Sequence, residues 1–260
     1  MLRRCMGLFG ILLWATTAQA AVQDRAVSWE LDGTRFQGHI LHPDSKTPLP
    51  GLLMVPNWMG VNASALEKAR KLAEGGYVVL LADVYGEGVR PKDTAEAAAA
   101  AHEAYSDLVR LRARAQAALD RLLADEAVPL DRERLAAVGF CFGGGTVLEL
   151  GRAGADLDAI VTFHGALDTN LPAAPGAVKA SLLVLNGADD SYVSAEHIAA
   201  FQGEMTAAGA DWQFVNLAGA VHCFAEADAH APPGCVYHER SARRAYRMMS
   251  AHLAEAFAAP

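Results

Sequence analysis

The hydrophobic pattern changes near residue 50, and the change predicts two kinds of strand. Before it, residues 27–31 and 36–41 alternate apolar and polar side chains on either side of Asp32-Gly33, which predicts an antiparallel hairpin. After it come short, nearly continuous apolar runs, which predict parallel strands buried on both faces. These runs span residues 51–55, 77–82, 135–140, 159–163, 181–185 and 212–217.

The segments between these runs are predicted to be helical. They span residues 65–74, 94–123, 146–152, 195–208 and 237–257, and the long second segment is predicted to divide into two helices. An edge hairpin followed by alternating strands and helices predicts an α/β fold with a mostly parallel central sheet and helices on both faces. Ligands bind at the carboxyl ends of such strands. Residues 85–90, which contain Gly86 and Gly88, are therefore predicted to form a loop at the mouth of the pocket.

The first twenty residues have the pattern of a secretory signal peptide. Arg3 and Arg4 precede an uncharged, mostly apolar segment, and Ala18-Gln19-Ala20 is a suitable cleavage site. Cleavage would leave residues 21–260 as a single domain, either periplasmic or secreted. An uncleaved N-terminal anchor is the alternative, and no later apolar stretch is long enough to predict a membrane span.

The charge of the chain argues against a nucleic-acid partner. The formal net charge is −8, and it becomes −10 once the two arginines of the signal peptide are removed. We therefore expect a small molecule as the partner. The sequence leaves the oligomeric state open.

A cysteine lies between two glycines where a predicted strand runs into a predicted helix. The segment Gly139-Phe140-Cys141-Phe142-Gly143 has the G-x-C-x-G spacing of a nucleophile elbow, whose tight turn needs small residues two positions before and after the nucleophile. At the start of a helix, unpaired N–H groups favour a thiolate. The alternative is a glycine-rich turn that contains an inert buried cysteine.

Two later strand ends supply partners for Cys141. Asp190 follows the run 181–185 and His222 follows the run 212–217, so both side chains are predicted to lie at the sheet edge that carries Cys141. The order nucleophile, acid, histidine is typical of α/β hydrolases. Asp189 is the alternative acid, and either aspartate could instead cap the turn or the following helix.

Backbone N–H groups of Phe142 and Trp58 are predicted to form the oxyanion hole. Phe142 follows the nucleophile, and Trp58 lies in the loop after the early run 51–55. Trp58 could instead be only an aromatic lid. The remaining histidines have no metal-binding spacing, so the sequence predicts no metal site.

Three cysteines remain after cleavage, so at least one is unpaired within the chain. Cys223 and Cys235 are near in sequence and could form a disulfide, which would leave Cys141 free for catalysis. Spacing alone does not establish this geometry.

These motifs resemble those of the dienelactone hydrolase family. The resemblance runs over nearly the whole predicted domain and includes the segments 57–62, 83–85, 139–144, 163–165, 187–193, 222–224 and 237–242. It implies an α/β-hydrolase fold and an enzyme without a cofactor. It also implies that a thiolate attacks an ester or lactone carbonyl and that water hydrolyses the resulting acyl-enzyme.

Two departures from the family pattern bear on the substrate. The family has a glutamate, which helps to activate the resting thiol, where this chain has Asn57, and Asn57 cannot accept a proton. The family also holds the carboxylate of dienelactone with two arginines, and the matching positions here are Glu87 and Glu226. Because two acids would repel an anion, we expect a neutral or cationic ester or lactone. The expected pocket residues are Asn57, Tyr85, Glu87, His164, Phe224 and Glu226.

Two other functions are compatible with the sequence. Asn57 suggests a catalytically decayed hydrolase that acts as a binding protein, which would keep the fold and show no activity dependent on Cys141. An exported cysteine could also serve a thiol-redox protein of the cell envelope, although the chain has no C-x-x-C motif.

Overall fold

The computed structural model describes residues 21–258, and the predicted signal peptide lies outside this range. No helix within this range is long and apolar enough to cross a membrane. The helices and strands, in chain order, are β1 (Val22–Leu31), β2 (Thr34–Pro43), β3 (Leu49–Val55), α1 (Ala63–Glu74), β4 (Val78–Leu81), α2 (Thr94–Tyr105), α3 (Leu108–Leu123), β5 (Leu130–Phe140), α4 (Phe142–Arg152), β6 (Ala159–Phe163), β7 (Ser181–Gly187), α5 (Ala195–Ala207), β8 (Trp212–Leu217), β9 (His230–Ala231), β10 (Cys235–Val236) and α6 (Glu239–Ala256).

Eight strands form one sheet in the order β1-β2-β4-β3-β5-β6-β7-β8. β2 pairs antiparallel with β1 and with β4, whereas all pairs from β4 to β8 are parallel. The predicted α/β-hydrolase fold with an antiparallel edge hairpin is therefore confirmed. The hairpin is longer than predicted because β1 begins at Val22, and its polar first residues are tolerated on an exposed edge strand.

Buried apolar side chains lie on both faces of this sheet. On β3, Leu53 and Val55 belong to a core shared with α2, α3, α4 and α5. Leu52 and Met54 belong to a second core shared with α1 and α6. Successive side chains of a strand point to opposite faces, which explains why the central strands are apolar at nearly every position.

The helices differ from the prediction mainly at their ends. The segment 94–123 divides in two as predicted, because Asp107 caps the start of α3 by accepting the N–H of Arg110. α4 begins at Phe142, four residues earlier than predicted, because the turn at Cys141 leads directly into it. α6 begins at Glu239, two residues later than predicted. The sequence pattern does not predict β9 and β10, which are only two residues long.

The parallel strands place three loops at one edge of the sheet. Cys141 follows β5, Asp190 follows β7, and His222 follows β8. Because these strands run in the same direction, their carboxyl ends bring the three loops together, as the sequence predicts.

Candidate active site

The turn after β5 holds Cys141 in a conformation that few side chains adopt. Cys141 has φ 52° and ψ −117° and lies directly before α4. A Cβ atom at Gly139 would collide with the carbonyl group of Gly143, and one at Gly143 would collide with the carbonyl group of Val55. Both glycines are therefore required, and the strained backbone has the geometry of a nucleophile elbow.

The structure brings the three predicted side chains together. His222 Nε2 lies 3.1 Å from Cys141 Sγ, and His222 Nδ1 lies 2.7 Å from Asp190 Oδ2. Asp190 is buried, whereas Asp189 is exposed. Asp190 Oδ1 also accepts the N–H of Tyr192 at 2.9 Å, which fixes the carboxylate. Of the two candidate acids, Asp190 is therefore the one that can orient the imidazole.

Burial and hydrogen bonding have opposite effects on His222. Burial lowers the pKa of the imidazole, but the hydrogen bonds to Asp190 and Cys141 outweigh it and raise this pKa to about 10. At neutral pH the ring therefore carries a proton, which it can share with Cys141 Sγ or donate to a leaving group. Cysteine nucleophiles are activated in this type of environment.

Two backbone N–H groups beside Cys141 are free to bind an oxyanion. Within residues 21–258, no hydrogen bond uses the N–H of Trp58 or of Phe142. Each of these residues is held by a tyrosine. Tyr85 Oη donates to the carbonyl oxygen of Trp58 at 3.0 Å, and Tyr105 Oη donates to that of Phe142 at 2.9 Å. This arrangement suits a preorganised oxyanion hole.

An apolar cavity of about 270 Å³ has Cys141 and His222 in its wall. Among the described residues that line it, none is an aspartate, glutamate, lysine or arginine. Such a cavity suits an uncharged group of a substrate. The other lining residues include Trp58, Ala101, Tyr105, Phe142, Ala166 and Val193.

Comparison with known proteins decides the family. The model of the dienelactone hydrolase family matches residues 36–257, which is most of the chain. The chain belongs to the dienelactone hydrolase family. It is a hydrolase that acts on ester or lactone bonds.

Relatives and solved structures of similar fold cover nearly the same range. The chain is 28% identical over 232 residues to a Yersinia pestis protein named "Putative carboxymethylenebutenolidase", covering 84% of this chain and 82% of that protein. It is 28% identical over 227 residues to a Bradyrhizobium sp protein named "Probable 2-oxo-3-(5-oxofuran-2-ylidene)propanoate lactonase", covering 82% of this chain and 90% of that protein. A solved dienelactone hydrolase-like promiscuous phosphotriesterase from metagenomic libraries is 38% identical with a TM-score of 0.86, covering 92% of this chain and 100% of that chain.

Four of the expected pocket residues lie outside the lining of the cavities beside Cys141, which corrects the prediction from family resemblance. Glu87 forms a 2.9 Å ion pair with Arg35 of β2. His164 and Phe224 are completely buried, and Tyr85 is buried behind the oxyanion hole. Family resemblance locates a position along the chain, but neighbours from distant segments decide where its side chain points.

His164 lies behind the imidazole that contacts the nucleophile. Its ring centroid is 4.9 Å from that of His222, and the two rings meet edge to face. Burial lowers the pKa of His164 well below its usual value, and the nearby His222 lowers it further. His164 is therefore neutral and supports the ring of His222 by packing.

Asn57 and Glu226, the other two expected pocket residues, do lie beside Cys141. Together with Asp228 they line a second, smaller cavity of about 100 Å³. Glu226 is buried, and its Oε2 forms an ion pair with Lys68 Nζ of α1 at 3.0 Å. Because Lys68 balances much of its charge, Glu226 repels an anion less strongly than the sequence alone predicts.

A disulfide anchors the segment 218–226, which we call the histidine loop. Cys223 and Cys235 are bonded, which settles the pairing that their spacing left open, and Cys141 is free. His222 also forms a bridge with Cys235, and its carbonyl oxygen accepts the N–H of Val236 at 3.1 Å. The strand β10 and the disulfide therefore hold the residues on which the position of the imidazole depends.

Sequence reasoning misses two tyrosines of the site. Tyr105 belongs to α2, and no motif connects this helix with the elbow. Tyr192 packs its ring 5.0 Å from that of His222, although 68% of the residue is exposed. Its place two residues after Asp190 is the one signal that could have found it.

No group of three or more potential metal ligands occurs within residues 21–258.

Proposed function

We propose that this chain hydrolyses carboxylic esters or lactones through a covalent acyl-enzyme on Cys141. The observation that carries the proposal is the contact series from Cys141 Sγ to His222 Nε2 at 3.1 Å and from His222 Nδ1 to Asp190 Oδ2 at 2.7 Å. A nucleophile, a base and an orienting acid at these distances support nucleophilic catalysis.

The proposed reaction has two stages. The thiolate of Cys141 adds to the carbonyl carbon, and the N–H groups of Phe142 and Trp58 hydrogen-bond to the oxyanion that forms. As the intermediate collapses, the bond to the leaving oxygen breaks and His222 donates its proton to that oxygen. Water then attacks the thioester and gives its proton to His222, and the acid leaves as the thiolate is restored.

The charges around the site favour a neutral acyl group over an anionic one. Lys68, the cation that contacts Glu226, pairs with that carboxylate at 3.0 Å, and Arg90, three residues after Glu87, pairs with Asp83 at 3.1 Å. A substrate carboxylate would find neither of these cations free, and the protonated His222 already pairs with Asp190 at 2.7 Å, whereas an apolar group would fill the cavity of about 270 Å³. A cationic ester would be tolerated because the carboxylates of Glu226 and Asp228 line the smaller cavity beside Cys141.

Hydrolysis of p-nitrophenyl acetate between pH 6 and 9 tests the covalent mechanism. The protein should be active, and Cys141→Ala should lower kcat/KM by at least about 10³-fold without altering the circular dichroism spectrum. Equal activity in both proteins would refute the role of Cys141. No activity in either protein would favour a decayed hydrolase that acts as a binding protein.

The substrate class is tested separately. We expect kcat/KM to be higher for a neutral five-membered lactone than for dienelactone, which carries a carboxylate. Glu226→Gln should narrow the difference because it removes one negative charge beside Cys141. Efficient hydrolysis of dienelactone by the unaltered protein would contradict this part of the proposal.

Phosphotriesters are a second candidate substrate class. They are uncharged, as the apolar cavity requires, and the metagenomic structure that is 38% identical is named a promiscuous phosphotriesterase. Cys141 Sγ would bond to phosphorus as the aryloxide leaves with the proton of His222, while the N–H groups of Phe142 and Trp58 bind the phosphoryl oxygen. Water would then cleave the S–P bond, release the phosphate diester and restore the thiolate. The test uses diethyl p-nitrophenyl phosphate as the substrate. Release of p-nitrophenol by the unaltered protein, and its loss in Cys141→Ala, would support this activity.

Export of the protein is also part of the proposal. The predicted signal peptide, residues 1–20, and the disulfide between Cys223 and Cys235 both suit an oxidising compartment. Expression of the full sequence in a bacterium should yield a periplasmic protein whose N-terminus is Ala21. A cytoplasmic protein that retains Met1 would refute export.

A further inference from the structure

The loop of residues 57–60, which we call the oxyanion loop, is held through the side chain of Asn57. Asn57 Oδ1 accepts the N–H of Met59 at 3.0 Å, and the carbonyl oxygen of Asn57 accepts the N–H of Gly60 at 2.9 Å. These bonds close a turn around Trp58, whose N–H is one of the two predicted oxyanion donors. The amide group of Asn57 therefore affects where that N–H points.

The other end of the same amide group is fixed by a buried ion pair. Asn57 Nδ2 donates to Glu226 Oε2 at 2.5 Å, and Lys68 Nζ lies 3.0 Å from the same oxygen. The Glu226 side chain is 3% exposed and that of Lys68 is 12% exposed, so water competes little for these bonds. A hydrogen bond to a charged carboxylate is shorter and stronger than one between neutral groups.

Glu226 belongs to the histidine loop. Its N–H donates to the carbonyl oxygen of Cys223 at 2.9 Å, which places the carboxylate one turn beyond His222. The bond between Asn57 and Glu226 therefore joins the loop that carries the oxyanion donor to the loop that carries the base. Lys68 connects both loops to α1, where Ser64 Oγ accepts a bond from Lys68 Nζ at 2.8 Å.

We propose that Asn57, Glu226 and Lys68 form a positioning network that fixes the N–H of Trp58 for transition-state binding. The proposal rests on the proposed hydrolase function, because an oxyanion donor matters only if a carbonyl is attacked. None of the three residues takes or gives a proton in the reaction. They act through the oxyanion loop, and Tyr85 supports the same loop from the carbonyl side of Trp58.

The network should affect the oxyanion donor more than the nucleophile. His222 is held independently by Asp190 at 2.7 Å, by the bond from Val236 and by the disulfide. Loss of Asn57 leaves all of these contacts in place. Alkylation of Cys141 by iodoacetamide displaces iodide at a saturated carbon and forms no oxyanion, so it reports the state of the thiol alone.

The test compares ester hydrolysis with alkylation in the protein expressed from the full sequence. In Asn57→Ala, kcat for p-nitrophenyl acetate should fall by about 10–100-fold, with little change in KM, because an oxyanion donor is misplaced. Alkylation of Cys141, followed by peptide mass spectrometry, should stay within about two-fold, which also shows that the fold around Cys141 is intact.

Two substitutions of Glu226 and one control sharpen the comparison. Glu226→Ala should lower kcat by about 5–20-fold, and Glu226→Gln should recover most of the loss because its amide oxygen can still accept the bond from Asn57. Glu67→Gln, on the exposed side of α1 next to Lys68, removes the same charge and should leave both rates unchanged. Equal kcat values for the two Glu226 variants would contradict the proposed hydrogen bond.

Hydrogen exchange separates this proposal from the proposed function. The amides of Met59 and Gly60, which donate to Asn57, should exchange at least about ten-fold faster in Asn57→Ala, whether or not the protein hydrolyses any ester. Faster exchange in a protein without hydrolase activity would refute the function and retain the network. Unchanged exchange with unchanged kcat would overturn the network, and so would equal losses of hydrolysis and alkylation in Asn57→Ala.

Discussion

Replacement of Asp190 by asparagine tests what keeps His222 protonated. Asparagine has nearly the same volume and can still accept the N–H of Tyr192, which Asp190 Oδ1 accepts at 2.9 Å. Its amide N–H group, however, cannot accept the proton on His222 Nδ1, so the ring would lose its charged partner. Burial lowers the pKa of His222, and the hydrogen bonds and charge interactions with Asp190 and Cys141 outweigh it and raise this pKa to about 10. The substitution should therefore lower this pKa.

The structure indicates the size of the effect. The bond between His222 Nδ1 and Asp190 Oδ2 is 2.7 Å long, and the Asp190 side chain is fully buried. A charge-assisted hydrogen bond of this kind contributes about 1.5–3 kcal/mol. Because about 1.4 kcal/mol changes a pKa by one, the pKa of His222 should fall to about 8–9 in Asp190→Asn.

Hydrolysis of a neutral lactone, followed by pH-stat titration, measures this change. A lactone is suitable because its alkoxide leaving group needs the proton of His222. As the pH rises, kcat/KM should fall near pH 10 in the unaltered protein, where His222 loses that proton. The fall should come near pH 8–9 in Asp190→Asn. Asp189→Asn changes an exposed neighbour and should keep the fall near pH 10. An unchanged or higher pH for the fall in Asp190→Asn would refute the reasoning.

Three further variants test the supports of the site. Gly143→Ala should lower the free energy of unfolding in urea by more than about 3 kcal/mol because its Cβ would collide with a β3 carbonyl group, whereas Gly203→Ala has open space in α5 and should be neutral or stabilising. Changing Cys223 and Cys235 together to serine should lower the same free energy by about 2–4 kcal/mol and reduce kcat for the lactone, because the disulfide anchors the histidine loop. Tyr85→Phe should lower kcat by about 3–10-fold and leave iodoacetamide alkylation unchanged, because only the oxyanion loop loses a contact. Equal effects of the two glycine changes, an unaltered urea transition without the disulfide, or equal losses in both Tyr85 assays would contradict the respective argument.

The meeting of Cys141, Asp190 and His222 could be predicted because each follows a buried strand. Parallel strands end at the same edge of a sheet, so reactive residues placed directly after β5, β7 and β8 must approach one another. The glycines at positions 139 and 143 predicted the tight turn around Cys141, and the structure shows that neither position can carry a side chain. Both predictions depend on backbone geometry, which hydrophobic pattern and glycine spacing report well.

The partners of individual side chains could not be predicted in the same way. Glu87 turns to Arg35 of the edge hairpin, and Glu226 turns to Lys68 of α1, although neither partner belongs to a motif. Tyr105 of α2 likewise contacts the nucleophile elbow, although it belongs to no motif. These contacts depend on how helices and edge strands pack against the sheet. A single sequence without an alignment gives no signal for such pairs.

Asn57 and Glu226 have to be interpreted as a pair. A glutamate at position 57 would place a second carboxylate against Glu226, whose Oε2 is 2.5 Å from Asn57 Nδ2, and two carboxylates at that distance cannot both stay charged. With Glu226 balanced by Lys68, a neutral amide at position 57 can donate to the acid and still accept the N–H of Met59. The replacement of glutamate at position 57 is therefore coupled to the acid at position 226. Asn57 is the feature that suggested a decayed hydrolase, and because it has a structural role beside Cys141 it no longer favours that interpretation.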